Sequence, residues 1–256
     1  MQYIESLIFL VPFLLLAGIL DGLAGGGGII AMPAYLLSGM PIHSIYACNK
    51  FQGALGNLTS CSKYIKDGYT DFKLTLISLP FAIGASFLST KLILWLDSEK
   101  ILAFIVWCIP IAVVCMFLRR KLSSKTERRH NITLKTVALS ILAGVMISVY
   151  NALFGPGGGT IAMIIYSIFL NYDLRVGNGN GKIIIAVSNL TAAFDYTFSG
   201  NMIWHIALPC ALANMAGAYI GATIAMKKGE KAVMPAMFAV VIILIVQTAA
   251  GIIIGA

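Results

Sequence analysis

Lys50, Asn57 and Tyr64 follow one another at seven-residue steps, and Lys182, Asn189 and Tyr196 repeat the same three types at the same steps. Seven residues are two helical turns, so on a helix each trio forms a single stripe. Fourteen residues cover about 21 Å of helix, most of the way across a bilayer. An ammonium, an amide and a phenol along one stripe are hydrogen-bond donors suited to an oxyanion. Asn49, Gln52, Ser60, Asn178, Asn180 and Ser188 add hydrogen-bonding capacity nearby. Plainer readings stand beside this one. Asn and Ser often bond helix to helix within membranes, and a lysine can reach toward lipid headgroups.

Two glycine clusters carry a second kind of chemistry. Gly25-Gly26-Gly27-Gly28 and Gly155-Pro156-Gly157-Gly158-Gly159 each close a long apolar run and open a short one. Glycine permits positive φ and close approach of backbone to a ligand, and Pro156 interrupts helical geometry. N–H groups freed at a helix start carry partial positive charge and suit anions. Tight packing of small residues is the alternative, and a nucleotide loop does not fit because no strand precedes either cluster. Two such helix starts and two lysines make a positive centre. Apart from Glu5 at the start of the first run, Asp21 and Asp195 are the acids within the expected spans, too few to leave a cation site, so an anion is the better ligand.

The elements that must position these groups are written twice. Gly26-Gly27-Gly28-Ile29-Ile30-Ala31-Met32 returns as Gly157-Gly158-Gly159-Thr160-Ile161-Ala162-Met163, Asn57-Leu58-Thr59 as Asn189-Leu190-Thr191, and Gly84-Ala85 as Gly217-Ala218. Hydrophobic residues are 59% of the chain, charged residues 11%, and mean hydropathy is +0.90, far from soluble averages. Apolar runs over residues 4–24, 72–96, 100–119, 134–153, 203–226 and 231–255 have the ~20 residues that a membrane helix needs. Segments 43–65 and 178–199 are as long but carry polar residues, and 29–39 and 160–171 are too short to cross upright. The expectation is an all-α integral membrane protein of about eight transmembrane helices plus two short, glycine-opened helices that either span or re-enter. Residues 1–118 form the first repeat, 119–133 a basic connection and 134–256 the second repeat. Residues 4–24 read as a retained helix, since no basic n-region or clear cleavage site accompanies them.

Basic residues give the orientation. Arg119, Arg120, Lys121, Lys125, Arg128, Arg129 and Lys135 crowd the central connection against Glu127 alone, which places that connection in the cytoplasm. Lys63 and Lys66 then fall inside, Ser199-Gly200-Asn201 outside, and each half makes an odd number of crossings. The repeats are therefore expected to be inverted, the arrangement of alternating-access carriers. The net charge of +8 is mostly this loop and does not point to nucleic acid.

The Gly-rich opening followed by Pro33, the Asn49-Lys50-Phe51-Gln52 stretch, the Phe154-Gly155-Pro156-Gly157-Gly158-Gly159 cluster and Ser188-Asn189 resemble the sulfite exporter TauE/SafE family. The resemblance covers about residues 7–250. It implies a multi-pass protein of the bacterial or archaeal cytoplasmic (inner) membrane that moves sulfur-containing anions such as sulfite, thiosulfate or sulfonates, commonly outward. One departure is the reading Gly179-Asn180-Gly181-Lys182 against Cys48-Asn49-Lys50. Its added residue and two glycines predict a looser start for that helix.

Other chemistry finds little support. The cysteines, Cys48, Cys61, Cys108, Cys115 and Cys210, lack paired spacing, and His43, His130 and His205 stand apart, so neither disulfide nor metal is expected. Nothing resembles a nucleotide-hydrolysing motif or a catalytic triad, so no cofactor and no enzyme activity are expected. The reading is a secondary anion transporter with Lys50, Lys182, Asn57 and Asn189 at the anion. Gly26, Gly27, Gly28, Gly157, Gly158 and Gly159 present backbone, Asn49, Gln52 and Ser188 lie close by, and Tyr64 and Tyr196 line the path. Asp195 and His205 are candidates for proton coupling, although a carboxylate beside Tyr196 can equally be structural. A passive anion channel would share these features. Expected partners are a small anion and the lipid bilayer, with room for a homodimer and none for nucleic acid.

Overall fold

The computed structural model describes residues 2–97, 131–155, 157–228 and 235. Among them regular structure is helical throughout, with no strand. The elements are α1 (Gln2–Ala24), α2 (Gly28–Leu37), α3 (Ile42–Lys66), α4 (Phe72–Trp95), α5 (Leu134–Leu153), α6 (Gly158–Leu170), α7 (Leu174–Phe198) and α8 (Trp204–Lys228). The expected spans at 100–119 and 231–255, and most of the 119–133 connection, lie outside the described residues.

Hydropathy sorts the eight helices into three kinds. Residues Ser6–Ala24 of α1, together with α4, α5 and α8, are long and apolar enough to cross a membrane. The short apolar pair is α2 and α6. The long polar pair, α3 and α7, holds Lys50, Asn57, Lys182 and Asn189 out of solvent. Large apolar side chains meanwhile point outward: Ile8 and Leu16 on α1, Leu88 and Leu92 on α4, Leu208 and Leu212 on α8. An apolar exterior around polar helices is the reverse of a water-soluble fold and suits lipid. The chain is thus an all-helical, multi-pass membrane protein.

Helix pairing follows the duplication. α1 packs on α8 as α4 packs on α5, α3 on α8 as α7 on α4, and α1 on α2 as α5 on α6. Each pairing becomes its counterpart when the two repeats are exchanged. α3 and α7 pack on one another and run antiparallel. Tyr46 lies beside Tyr196 with ring centroids 6.4 Å apart at one end, and Tyr64 accepts from Asn178 at 2.7 Å at the other. Between them Asn189 sits over Gly53, where a Cβ would come within 2.9 Å of its Nδ2.

Small residues set the closest contact. Gly18 and Gly22 of α1 meet the Asn214 and Ala218 carbonyls of α8, and Gly217 and Gly221 of α8 meet the Leu15 and Ile19 carbonyls of α1. Each helix presents glycines four apart, so backbone lies on backbone where a membrane offers no hydrophobic drive for packing.

The two glycine clusters touch. Gly25, at φ +74°, turns its carbonyl onto the start of α6, where it accepts from the N–H groups of Gly159 (3.0 Å) and Thr160 (3.2 Å). A Cβ on either Gly25 or Gly159 would overlap the other's Cα. Thr160 Oγ1 also donates to Ala24 O at 2.9 Å, so the end of α1 and the start of α6 complete each other's hydrogen bonding.

The start of α7 departs from the expected looseness. The helix begins at Leu174, four residues before the expected 178, because Asp173 caps it, its side chain accepting from Arg175 N at 2.6 Å. Gly179 and Gly181 then lie inside the helix, where a Cβ would strike Tyr69 O and Ala162 Cβ respectively. Their role is close approach, which lets the α3–α4 turn and α6 press against α7.

Candidate functional site

Lys50 and Lys182 are each the ninth residue of their helices, α3 and α7. About 12 Å of helix precedes each, so neither sits within the first turn where the helix dipole acts. Both are buried, at 1% and 0% exposure. A lysine at membrane depth costs roughly 2.5 kcal/mol or more unless partnered, and the partners differ.

The two lysines make reciprocal bonds across the repeats. Lys50 Nζ donates to the Asn151 carbonyl on α5, and Lys182 Nζ donates to the Asp21 carbonyl on α1 at 2.6 Å. Asn151 stands in α5 where Asp21 stands in α1, four residues before the positive-φ glycines Gly155 and Gly25. A second reciprocal pair lies one turn away: Tyr46 Oη donates to Leu153 O at 3.2 Å and Asn178 Nδ2 to Leu23 O at 3.4 Å. Backbone placement is therefore matched, while side-chain charge is not. Lys182 also pairs with the Asp21 carboxylate at 2.9 Å, but the matching residue for Lys50 is a neutral amide. Lys50 forms no ion pair among the described residues.

A cavity opens beside Lys50. Its lining includes Gly27, Gly28, Asn49, Gln52, Asn57, Gly158, Gly159, Asn189 and, beyond the expected set, Asp21, Gly25, Gly53, Asn151, Gly155, Ile185 and Asn214. The space open to the centre of a water-sized sphere is about 40 Å³. One such sphere occupies about 10–15 Å³, so the cavity suits a tetrahedral oxyanion or a few waters.

Donors are supplied unequally. The N–H groups of Gly27 and Gly28, at the start of α2, have no hydrogen-bond acceptor among the described residues, and both residues line the cavity. At the start of α6 the Gly159 and Thr160 N–H groups are taken by Gly25 O, and that of Gly158 bonds Gly155 O at 3.3 Å. The Asn151 amide donates to Ser188 Oγ (3.2 Å) and Asn189 Oδ1 (2.8 Å), which fixes both. Acceptors face inward as well. Asn57 and Asn214 donate to the Gly53 and Leu14 carbonyls, so their Oδ1 atoms are the free ends; neither these oxygens nor Gln52 Oε1 has a donor among the described residues.

Several expected site residues lie elsewhere. Lys182 reaches the cavity only through Asp21, and Ser188 sits behind Asn151, hydrogen-bonded to Ser86 Oγ at 3.0 Å. Gly26 and Gly157 shape the turns without lining the space. Tyr64 and Tyr196 lie beyond it at opposite ends. Tyr64 Oη donates to Gly22 O at 3.2 Å, whereas Tyr196 Oη has no hydrogen-bond partner among the described residues. Asp195 pairs with the half-exposed Lys91 at 3.0 Å, and His205 is exposed in the first turn of α8, so neither touches the cavity. Asn180 accepts from Asp71 N at 2.8 Å and serves the α3–α4 turn.

An apolar helical exterior around a small cavity lined by amides, glycines, Asp21 and Lys50 defines a polytopic membrane protein with a polar interior. The sulfite exporter TauE/SafE family model matches residues 10–248, and the chain belongs to that family. It is 27% identical to the probable membrane transporter protein ORF9 of Sinorhizobium sp, over 94% of this chain and 91% of that one. It is 24% identical to the probable membrane transporter protein YfcA of Escherichia coli K12 (92% and 89% covered), and 26% identical to a probable membrane transporter protein of Haemophilus influenzae (90% and 88%). No solved structure matches the chain. The chain is a membrane transporter of this family.

Proposed function

We propose that the protein is a secondary carrier of small sulfur-containing anions such as sulfite, thiosulfate or small sulfonates, exporting them across the cytoplasmic membrane. The observation that carries this reading is Lys50, buried and without a carboxylate partner, in a cavity that also receives the open N–H groups of Gly27 and Gly28. An anion there offsets the cost of the buried ammonium and satisfies backbone donors that membrane depth would otherwise leave unpaired. The exchange symmetry of the helix pairings and the antiparallel course of α3 and α7 support two inverted repeats about this site. Different seals at the two ends support alternating access. Tyr64, Asn178, Tyr69 and Arg175 hydrogen-bond across one end, with Arg175 Nη1 at 2.7 Å from Tyr69 Oη. At the other end, Phe51 meets Trp204 edge-on at 5.3 Å and Tyr46 meets Tyr196.

Purified protein in liposomes, given sulfite, thiosulfate and a short sulfonate in turn, tests the reading. Saturable uptake and counterflow of at least one are expected, and counterflow separates a carrier from a pore. Absence of flux for all three, in protein that remains folded, overturns it.

A further inference from the structure

We propose that Asp21 sets the charge of the transported anion, making the site selective for anions of single charge. The inference rests on the anion-carrier reading and adds what that reading leaves open. The titratable side chains lining the cavity are Asp21 and Lys50. Lys182, just behind, is held by the Asp21 carboxylate at 2.9 Å. One lysine is thus neutralised, and Lys50 alone contributes an uncompensated positive charge. A singly charged anion balances it. A second negative charge would lie uncompensated in a buried site, against the Asp21 carboxylate and the donor-less amide oxygens of Asn57, Gln52 and Asn214.

The duplication supplies the control. Asn151 is the counterpart of Asp21, and Lys50 bonds its main-chain carbonyl as Lys182 bonds that of Asp21. Asp21→Asn therefore creates in one half an arrangement the other half already holds, with two uncompensated lysines. Asn151→Asp does the opposite, pairing Lys50 and leaving the cavity neutral.

Methanesulfonate and thiosulfate are the probes, being tetrahedral, similar in size, and of one and two negative charges. Their affinities for the purified full chain are measured by calorimetry, with sulfite as a third ligand. Wild type is expected to bind methanesulfonate at least about tenfold tighter than thiosulfate, a lower bound for one uncompensated buried charge. Asp21→Asn should move the ratio at least tenfold toward thiosulfate, and Asn151→Asp should bind neither. A wild-type protein that binds thiosulfate as well as methanesulfonate overturns the inference and leaves the carrier reading standing. So does an Asp21→Asn protein with an unchanged ratio, or an Asn151→Asp protein that still binds. A wild type that binds none of the three anions overturns the carrier reading itself. Should Asp21→Asn not fold, the wild-type ratio and Asn151→Asp still decide.

Discussion

At the scale of single residues, the two lysines look alike in sequence and differ in duty. Lys50→Met removes the unpaired charge and leaves no carboxylate stranded. Its expected effect is a loss of anion affinity of about tenfold or more, taking a charged hydrogen bond as roughly 1.5–3 kcal/mol, with little change in melting temperature in detergent. Lys182→Met strands the mostly buried Asp21 carboxylate and should destabilise the fold by on the order of 3 kcal/mol. The double variant Lys182→Met/Asp21→Asn should recover most of that loss, as a double-mutant cycle on melting would show. Equal stability of the two single variants would mean that the Asp21–Lys182 pair has no such role. The lysines, their place in polar helices and the nearby amides were legible from type and spacing, whereas the extra turn of α7 that puts Lys182 as deep as Lys50 was not. The difference between them was not. It turns on Asp21 and Asn151, which sit in other helices and acquire meaning only once α1 and α5 lie against α7 and α3.

At the scale of elements, glycine positions divide by what a methyl group would meet. Gly159→Ala places a Cβ on the Cα of Gly25, and Gly221→Ala places one on the Ile19 carbonyl. Both neighbours are backbone and cannot rotate away, so each variant should lose folded protein or transport. Gly84→Ala, at a helical position with nothing within 4 Å, should be neutral or stabilising by up to about 1 kcal/mol. Yields of monodisperse protein after heating would rank the three, and a tolerant Gly159→Ala would refute the crossing. Helix limits were largely readable, because runs of apolar residues ending at glycine, proline or charge leave few alternatives. Capping of α6 by Gly25 was not readable, since donor and acceptor lie more than 130 residues apart in the chain. For the same reason the glycine clusters looked equivalent, although α2 keeps open N–H groups that α6 has already committed.

At the scale of the whole molecule, the inverted arrangement makes a sidedness prediction. Asp67 and Ser199 are exposed counterparts after α3 and α7, and each precedes a positive-φ glycine, Gly68 or Gly200. In a variant lacking the five native cysteines, an impermeant thiol reagent outside intact cells should label Ser199→Cys and spare Asp67→Cys. Labelling of both from outside would defeat the inverted reading. The basic connection supports this orientation from sequence alone, whereas the matched hydrogen bonds between repeats required the assembled helices.

The seam between α1 and α8 also bears on how the protein is made. Helices of a membrane protein enter the bilayer as they are synthesised and associate afterwards. α1 emerges first, yet its closest partner, α8, is the last of the described helices, and its terminal carbonyls wait for α6. Throughout synthesis of the first repeat, Gly18 and Gly22 face no partner and Gly25 O has no donor. A first repeat made alone therefore lacks its own closure, and a chain ending before α8 leaves the glycine face of α1 unfilled. Chains truncated before α8 are therefore expected to be more protease-sensitive in the membrane than the full chain, which limited proteolysis of the two would check.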